Sequence, residues 1–66
     1  MISDTTRLMY DAEDAVYFKN PVQSAFYMEN GAILLDVFVS GEHKIVFVFS
    51  KADHERLRRK WNVRDA

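Results

Sequence analysis

Apolar positions crowd into residues 32–49, AILLDVFVSGEHKIVFVF. Two runs, residues 33–39 and 44–49, flank the polar stretch Ser40-Gly41-Glu42. Each run is shorter than a typical globular helix and rich in Val, Ile, Leu and Phe, so the pair reads as a β-hairpin. Gly41 can take the positive φ that a tight turn requires. A two-residue loop, Ser40-Gly41 or Gly41-Glu42, puts Ile33, Leu35, Val37, Val39, Lys44, Val46 and Val48 on one face. Leu34, Asp36, Phe38, His43, Ile45, Phe47 and Phe49 then share the other. A three-residue loop would shift one strand by a residue and exchange its faces. Upstream, Asn30-Gly31 is a strong hairpin signal. It predicts a strand over residues 24–28, with Met28 opposite Ile33 and Phe26 opposite Leu35. One face of this meander is nearly pure hydrocarbon. The other gathers Tyr27, Leu34, Phe38, Ile45, Phe47 and Phe49 with Asp36 and His43.

The flanks carry weaker patterns. Residues 1–6 are polar and expected to fray. Over residues 7–19, Leu8, Ala12, Ala15 and Val16 fit a helical stripe. The same stretch also reads as a hairpin, with Asp11-Ala12-Glu13-Asp14 turning between Leu8-Met9-Tyr10 and Ala15-Val16-Tyr17-Phe18. Asn20-Pro21 breaks whatever precedes it. After the central hairpin, Ser50 is a favoured N-cap, and Asp53 stands at the capping-box position. Asp53 and Glu55 lie near the positive end of the helix that follows, and Arg58, Arg59 and Lys60 near its negative end. The expected helix spans residues 51–61, with a thin apolar stripe of Leu57 and Trp61.

The stretch Tyr10-Asp11-Ala12-Glu13-Asp14-Ala15-Val16-Tyr17-Phe18 resembles the opening hairpin of a family of very small bacterial β-meander proteins of unknown function. In that family a Gly-led apolar strand ending in Asp follows, and Gly31-Ala32-Ile33-Leu34-Leu35-Asp36 is similar to it. The segment from Gly41 to Ser50 is similar to the family's next turn and strand. Two departures stand out: Ala12 replaces the usual Pro in a shorter first turn, and the C-terminal tail is more basic. The resemblance implies a meander in place of an N-terminal helix. It brings no catalytic residue, and by analogy it implies an antitoxin-like role beside a small protein partner. The expected fold is therefore α+β: a small antiparallel β-meander of four to five strands, then one C-terminal helix on the aliphatic face.

The chain has 66 residues and no cysteine. It reads as a single domain over residues 1–66, too short to bury more than about 60% of its unfolded surface. Disulfides and thiolate metal sites are excluded, which leaves a compact core and self-association as sources of stability. No apolar run is long enough to span a membrane, and the N-terminus lacks the regions of a signal peptide, so a soluble, cytoplasmic protein is expected. The net charge of −1 hides an asymmetry. Residues 1–50 hold three Lys/Arg and seven acids, whereas residues 51–66 hold six and three.

Two constellations are candidate sites. Arg56, Arg58, Arg59, Lys60 and Arg64 surround Trp61, a pattern that could meet phosphates and stack on a base. The alternative is an exposed basic face with Trp61 anchoring the helix. The second candidate is the aromatic face, with Tyr27, Phe38, Phe47 and Phe49 as a partner or self-association surface that one short helix leaves uncovered. It predicts a homodimer with Phe38 and Phe47 near its interface. His43 and His54 have no companions at metal-ligand spacing, and Asp11, Glu13 and Asp14 lack the EF-hand pattern. Ser40 and Ser50 have no triad partners, and two glycines cannot build a phosphate loop. No enzyme activity, metal or cofactor is expected. The expected function is non-catalytic protein binding, antitoxin-like or inhibitor-like, with self-association; the alternative is a small nucleic-acid-binding protein using the basic helix.

Overall fold

The computed structural model describes residues 1–64. Its elements are β1 (Ala15–Phe18), α1 (Pro21–Glu29), β2 (Asp36–Val39), β3 (Ile45–Ser50) and α2 (Lys51–Val63). A single 3-10 turn, Ala12–Asp14, precedes β1. The sheet is antiparallel in the order β1-β3-β2. The class is α+β as expected, but the four-to-five-strand meander is not formed. Three strands and two helices take its place.

The largest correction is α1, where a strand was expected. Asn20-Pro21 does more than break the chain. The Asn20 side chain accepts hydrogen bonds from the Val22 N–H at 2.9 Å and the Gln23 N–H at 3.2 Å. Pro21 then stands at the first helical position, where its missing N–H costs nothing. Asn30-Gly31 ends this helix and does not turn a hairpin. Gly31 has φ +92°. Its N–H donates to the Met28 carbonyl at 3.2 Å, and the Ala32 N–H donates to the Tyr27 carbonyl at 3.0 Å. That pair of bonds is the Schellman motif, which favours Gly at the left-handed position. A Cβ at Gly31 would meet only the Arg56 Nη2, at 4.0 Å, so backbone strain and not crowding governs substitution there. Gly31→Val is expected to cost more than about 1 kcal/mol, and Gly31→Asn clearly less. Paired thermal melts check this; equal melting temperatures for the two variants would contradict it.

The central hairpin forms, but with a longer loop. Val39 pairs with Ile45 and Val37 with Phe47. The Ser40 N–H donates to the Lys44 carbonyl at 2.8 Å, leaving Gly41, Glu42 and His43 as a three-residue loop. His43, at φ 61°, supplies the left-handed residue, whereas Gly41 has no positive φ. The Ser40 Oγ accepts from the N–H groups of Glu42 and Lys44 and holds the turn. This register exchanges the faces relative to the two-residue reading. Val16, Phe18, Val37, Val39, Ile45, Phe47 and Phe49 share one face, and Ala15, Tyr17, Asp36, Phe38, Val46 and Val48 share the other.

Helix α2 follows β3 without a loop. The Ser50 Oγ accepts from the Asp53 N–H at 3.0 Å, as a cap residue should. The Asp53 carboxylate does not reach back to complete a capping box; it accepts from the Ile33 N–H and from Arg56. Both helices pack on the Phe47–Phe49 side, so α2 covers the aromatic face and not the aliphatic one. Tyr27, Ala32, Phe49 and Leu57 form the centre of that layer, ringed by Val16, Phe18, Phe26, Leu34, Phe47 and Trp61.

The opposite face has its own cover. The N-terminal segment does not fray: Ile2 bridges Met9, and Tyr10 packs with Ala15, Val48 and Leu35. The buried Ser3 hydroxyl donates to the Asp36 Oδ1 at 2.5 Å, and the Tyr10 hydroxyl donates to the Oδ2 at 2.7 Å. Residues 7–19 are thus neither a helix nor a self-contained hairpin. Their strand, β1, pairs with β3 instead.

Candidate functional site

The four residues of the expected aromatic surface do not come together as one. Tyr27 and Phe49 are fully buried at 0% exposure. The Tyr27 ring meets Phe18 edge-on at 5.3 Å between centroids and lies 5.7 Å from Phe49. Its hydroxyl shares a hydrogen bond of 2.9 Å with the His54 Nδ1, which satisfies the one polar atom such a ring buries. Phe47 is half-buried at the rim of this layer. Phe38, 41% exposed, lies on the other side of the sheet. Three of the four are therefore core or core rim, and Phe38 and Phe47 cannot share one flat interface.

A different apolar patch emerges at the hairpin end of the helix-covered face. Val37 and Phe47 are opposite one another, and so are Val39 and Ile45. Val39 is 66% exposed and Ile45 54%. The helices leave this end bare for a geometric reason. Helix α2 departs from Ser50, at the end of β3 remote from the loop, and Trp61 meets Phe26 at 5.4 Å. The exposed patch was legible only through the three-residue loop, which brings these four side chains to one face.

The basic cluster is largely engaged within the chain. Arg56 donates to the Asn30 carbonyl at 3.2 Å and to Asp53 at 3.1 Å. Lys60 donates to the Asn30 Oδ1 at 2.7 Å. Both cations thus tie α2 to the carbonyl end of α1, where the helix dipole favours positive charge. Arg64 lies over the Trp61 ring, 3.1 Å from its centroid, and Phe26 packs against the same indole. A base would have to displace one of them to stack there. Arg58 pairs with Glu55 at 3.3 Å. Arg59 points outward with Arg58, and the two line a shallow surface depression with Glu55 and Asn62. All four belong to α2, so the depression has no second wall.

Among the described residues, the most perturbed titratable groups are Asp36 and Tyr10, which the sequence did not single out as a site. The bond from Ser3 holds the Asp36 carboxyl below its ordinary 3.8; burial opposes this, and the Tyr10 hydroxyl and Val37 N–H reinforce it. Burial, then the bond to Asp36 and its charge, pushes the Tyr10 phenol up to about 12. Each hydroxyl and each carboxylate oxygen here has a partner within the chain. The cluster is a fastener between the N-terminal segment and β2. Their separations of 33 and 26 residues left no local signal to find it. His43 is exposed in its turn, His54 bonds Tyr27, and no group of three potential metal ligands gathers among the described residues. No helix among the described residues is long and apolar enough to cross a membrane.

Comparison with protein families, with curated proteins and with solved structures returns no match.

Proposed function

We propose that this chain is a non-catalytic protein-binding module that also self-associates, and that it meets its protein partner through the bare hairpin end of the sheet. The observation that carries this reading is the patch of Val37, Val39, Ile45 and Phe47. Two of its members, cross-strand neighbours, expose more than half of their surface on a face whose other half is core. Single exposed aliphatics are ordinary, but a contiguous cross-strand set of four is the kind of surface that partners cover. The antitoxin-like or inhibitor-like role belongs to this proposal and rests on the sequence resemblance alone. The nucleic-acid alternative has less support, because Arg56, Lys60 and Trp61 already serve the packing of α2 on α1.

Photo-crosslinking groups placed at positions 39 and 45 test the reading in cells. One discrete protein adduct is expected from both positions, and Ile45→Asp should abolish that adduct from position 39 while leaving the thermal transition in place. Ile45 is half in water already, so the substitution is expected to change stability by less than about 1 kcal/mol. Adducts absent at both positions, or unchanged in Ile45→Asp, would count against the hairpin surface.

A further inference from the structure

The two edges of the sheet are treated differently by the rest of the chain. The outer edge of β2 is blocked. The Thr5 hydroxyl donates to the Val37 carbonyl at 3.0 Å, and the Thr6 hydroxyl donates to the Leu35 carbonyl at 2.6 Å. The Val37 N–H is taken by the Asp36 carboxylate at 2.8 Å. Side chains thus occupy the Leu35 carbonyl and both outward backbone groups of Val37, which another strand would need. The outer edge of β1 is guarded only at its start, where the Ala15 N–H donates to the Ala12 carbonyl. An antiparallel strand turns alternate N–H and C=O groups toward each neighbour, and β1 has a neighbour on one side only. Val16 and Phe18 turn their backbone groups toward β3, so Tyr17 turns its N–H and C=O outward, and among the described residues nothing outside the sheet bonds either of them.

We propose that the open edge of β1 pairs antiparallel with β1 of a second copy, giving a two-fold dimer with one continuous six-stranded sheet. This rests on the self-association part of the reading above and names its surface. Charge identifies the occupant. Glu13 and Asp14 precede β1, are exposed and have carboxylates without a partner among the described residues. Lys19 follows β1 directly. Antiparallel pairing of β1 with itself lays the acidic end of each copy beside Lys19 of the other, at both ends of the strand at once. That holds in either register a two-fold axis allows, with Val16 opposite Val16 or Tyr17 opposite Tyr17. Lys19 already reaches Glu42 at 3.1 Å, but the pair is exposed and an ammonium has further donors. Tyr17, 46% exposed, adds apolar contact beside the new seam. The assembly also ends itself. Each outer edge of the joined sheet would be β2, guarded at Leu35 and Val37, which disfavours addition of a third copy.

Sedimentation over a dilution series, with hydrogen exchange at each end of it, tests the proposal. The wild-type chain is expected to dimerise with slowed exchange gained in β1. Lys19→Glu should weaken the dimer about tenfold, since it turns attraction into repulsion at both ends of the seam. Adding Glu13→Lys and Asp14→Lys to that variant should restore the dimer. Glu42→Gln, which removes only the intrachain pair, should leave it unchanged. An unaltered dimer in Lys19→Glu, or no restoration in the triple variant, overturns the proposal. Protection gained elsewhere while β1 exchanges freely overturns the edge and leaves self-association standing. A wild-type monomer at every concentration overturns both.

Discussion

Phe49→Ala is expected to leave the chain without a cooperative thermal transition. Phe49 is fully buried and sits at the junction of every layer on the helix side of the sheet. Its ring lies 5.7 Å from Tyr27 and 5.9 Å from Phe18, and it belongs to the strand that pairs with both others. Truncating a buried Phe costs about 3–5 kcal/mol through lost transfer energy and the cavity left behind. The stability of a domain this short falls toward the low end of the roughly 5–15 kcal/mol range of native proteins. Tyr27→Phe is the matched control. It keeps the ring and removes only the hydrogen bond to His54, at a cost of about 1 kcal/mol. Circular dichroism melts of the two variants decide the matter. A cooperative Phe49→Ala transition close to the wild-type temperature would mean that the core does not run through this ring.

Asp36→Ala should release the N-terminal segment from the sheet. The carboxylate accepts from Ser3, Tyr10 and the Val37 N–H, and both hydroxyl donors are on buried residues. Removing the acceptor strands those donors and should cost roughly 2–4 kcal/mol. Limited proteolysis is expected to cut within residues 1–10 of the variant before it touches the hairpin or the helices. Simultaneous loss of all elements would show that the segment does not detach separately.

The same cluster sets a pH window with two limbs. The Asp36 pKa is lowered in the fold, so its contribution is present above the unfolded value of 3.8 and is lost as the pH falls through the folded value. The Tyr10 pKa is raised, so its contribution is present below 10.0 and is lost as the pH rises through about 12. Asp36→Ala should flatten the acid limb. It should also bring the alkaline limb to lower pH, since the bond to Asp36 and its charge both help hold the phenol protonated. Tyrosine ultraviolet absorbance during alkaline titration reads the second effect directly.

Much of the chain's local structure follows from its own residues. Ser50 caps α2, the apolar run of β3 makes the central strand, and Ala15-Val16-Tyr17-Phe18 forms β1, as one of the two readings of that stretch had it. These elements are specified by contacts within a few residues, or by a run of strand formers long enough to stand alone. Helix α1 was also written in the chain, between Asn20-Pro21 and Gly31, but its end signal is shared with another structure. Asn-Gly suits a hairpin turn and a helix C-terminus equally, because both need a left-handed residue. Ser24 and Tyr27, three residues apart, are buried together, a spacing that belongs to a helix and not to a strand.

Only the tertiary structure could decide the register, the covered faces and the N-terminal fastening. One residue in the hairpin loop determines which side chains meet the helices, and His43, not Gly41, turned out to hold the left-handed position. That exchange took Phe38 off the aromatic face and put Val37 and Val39 on it, while the packing of both helices there made Tyr27 and Phe49 core and left Val39 and Ile45 bare at the hairpin end. Ser3, Tyr10 and Asp36 are far apart in the chain, so no periodicity or spacing could pair them. Their bonds form because a half-buried carboxylate needs donors and the folded sheet brings two hydroxyls within reach.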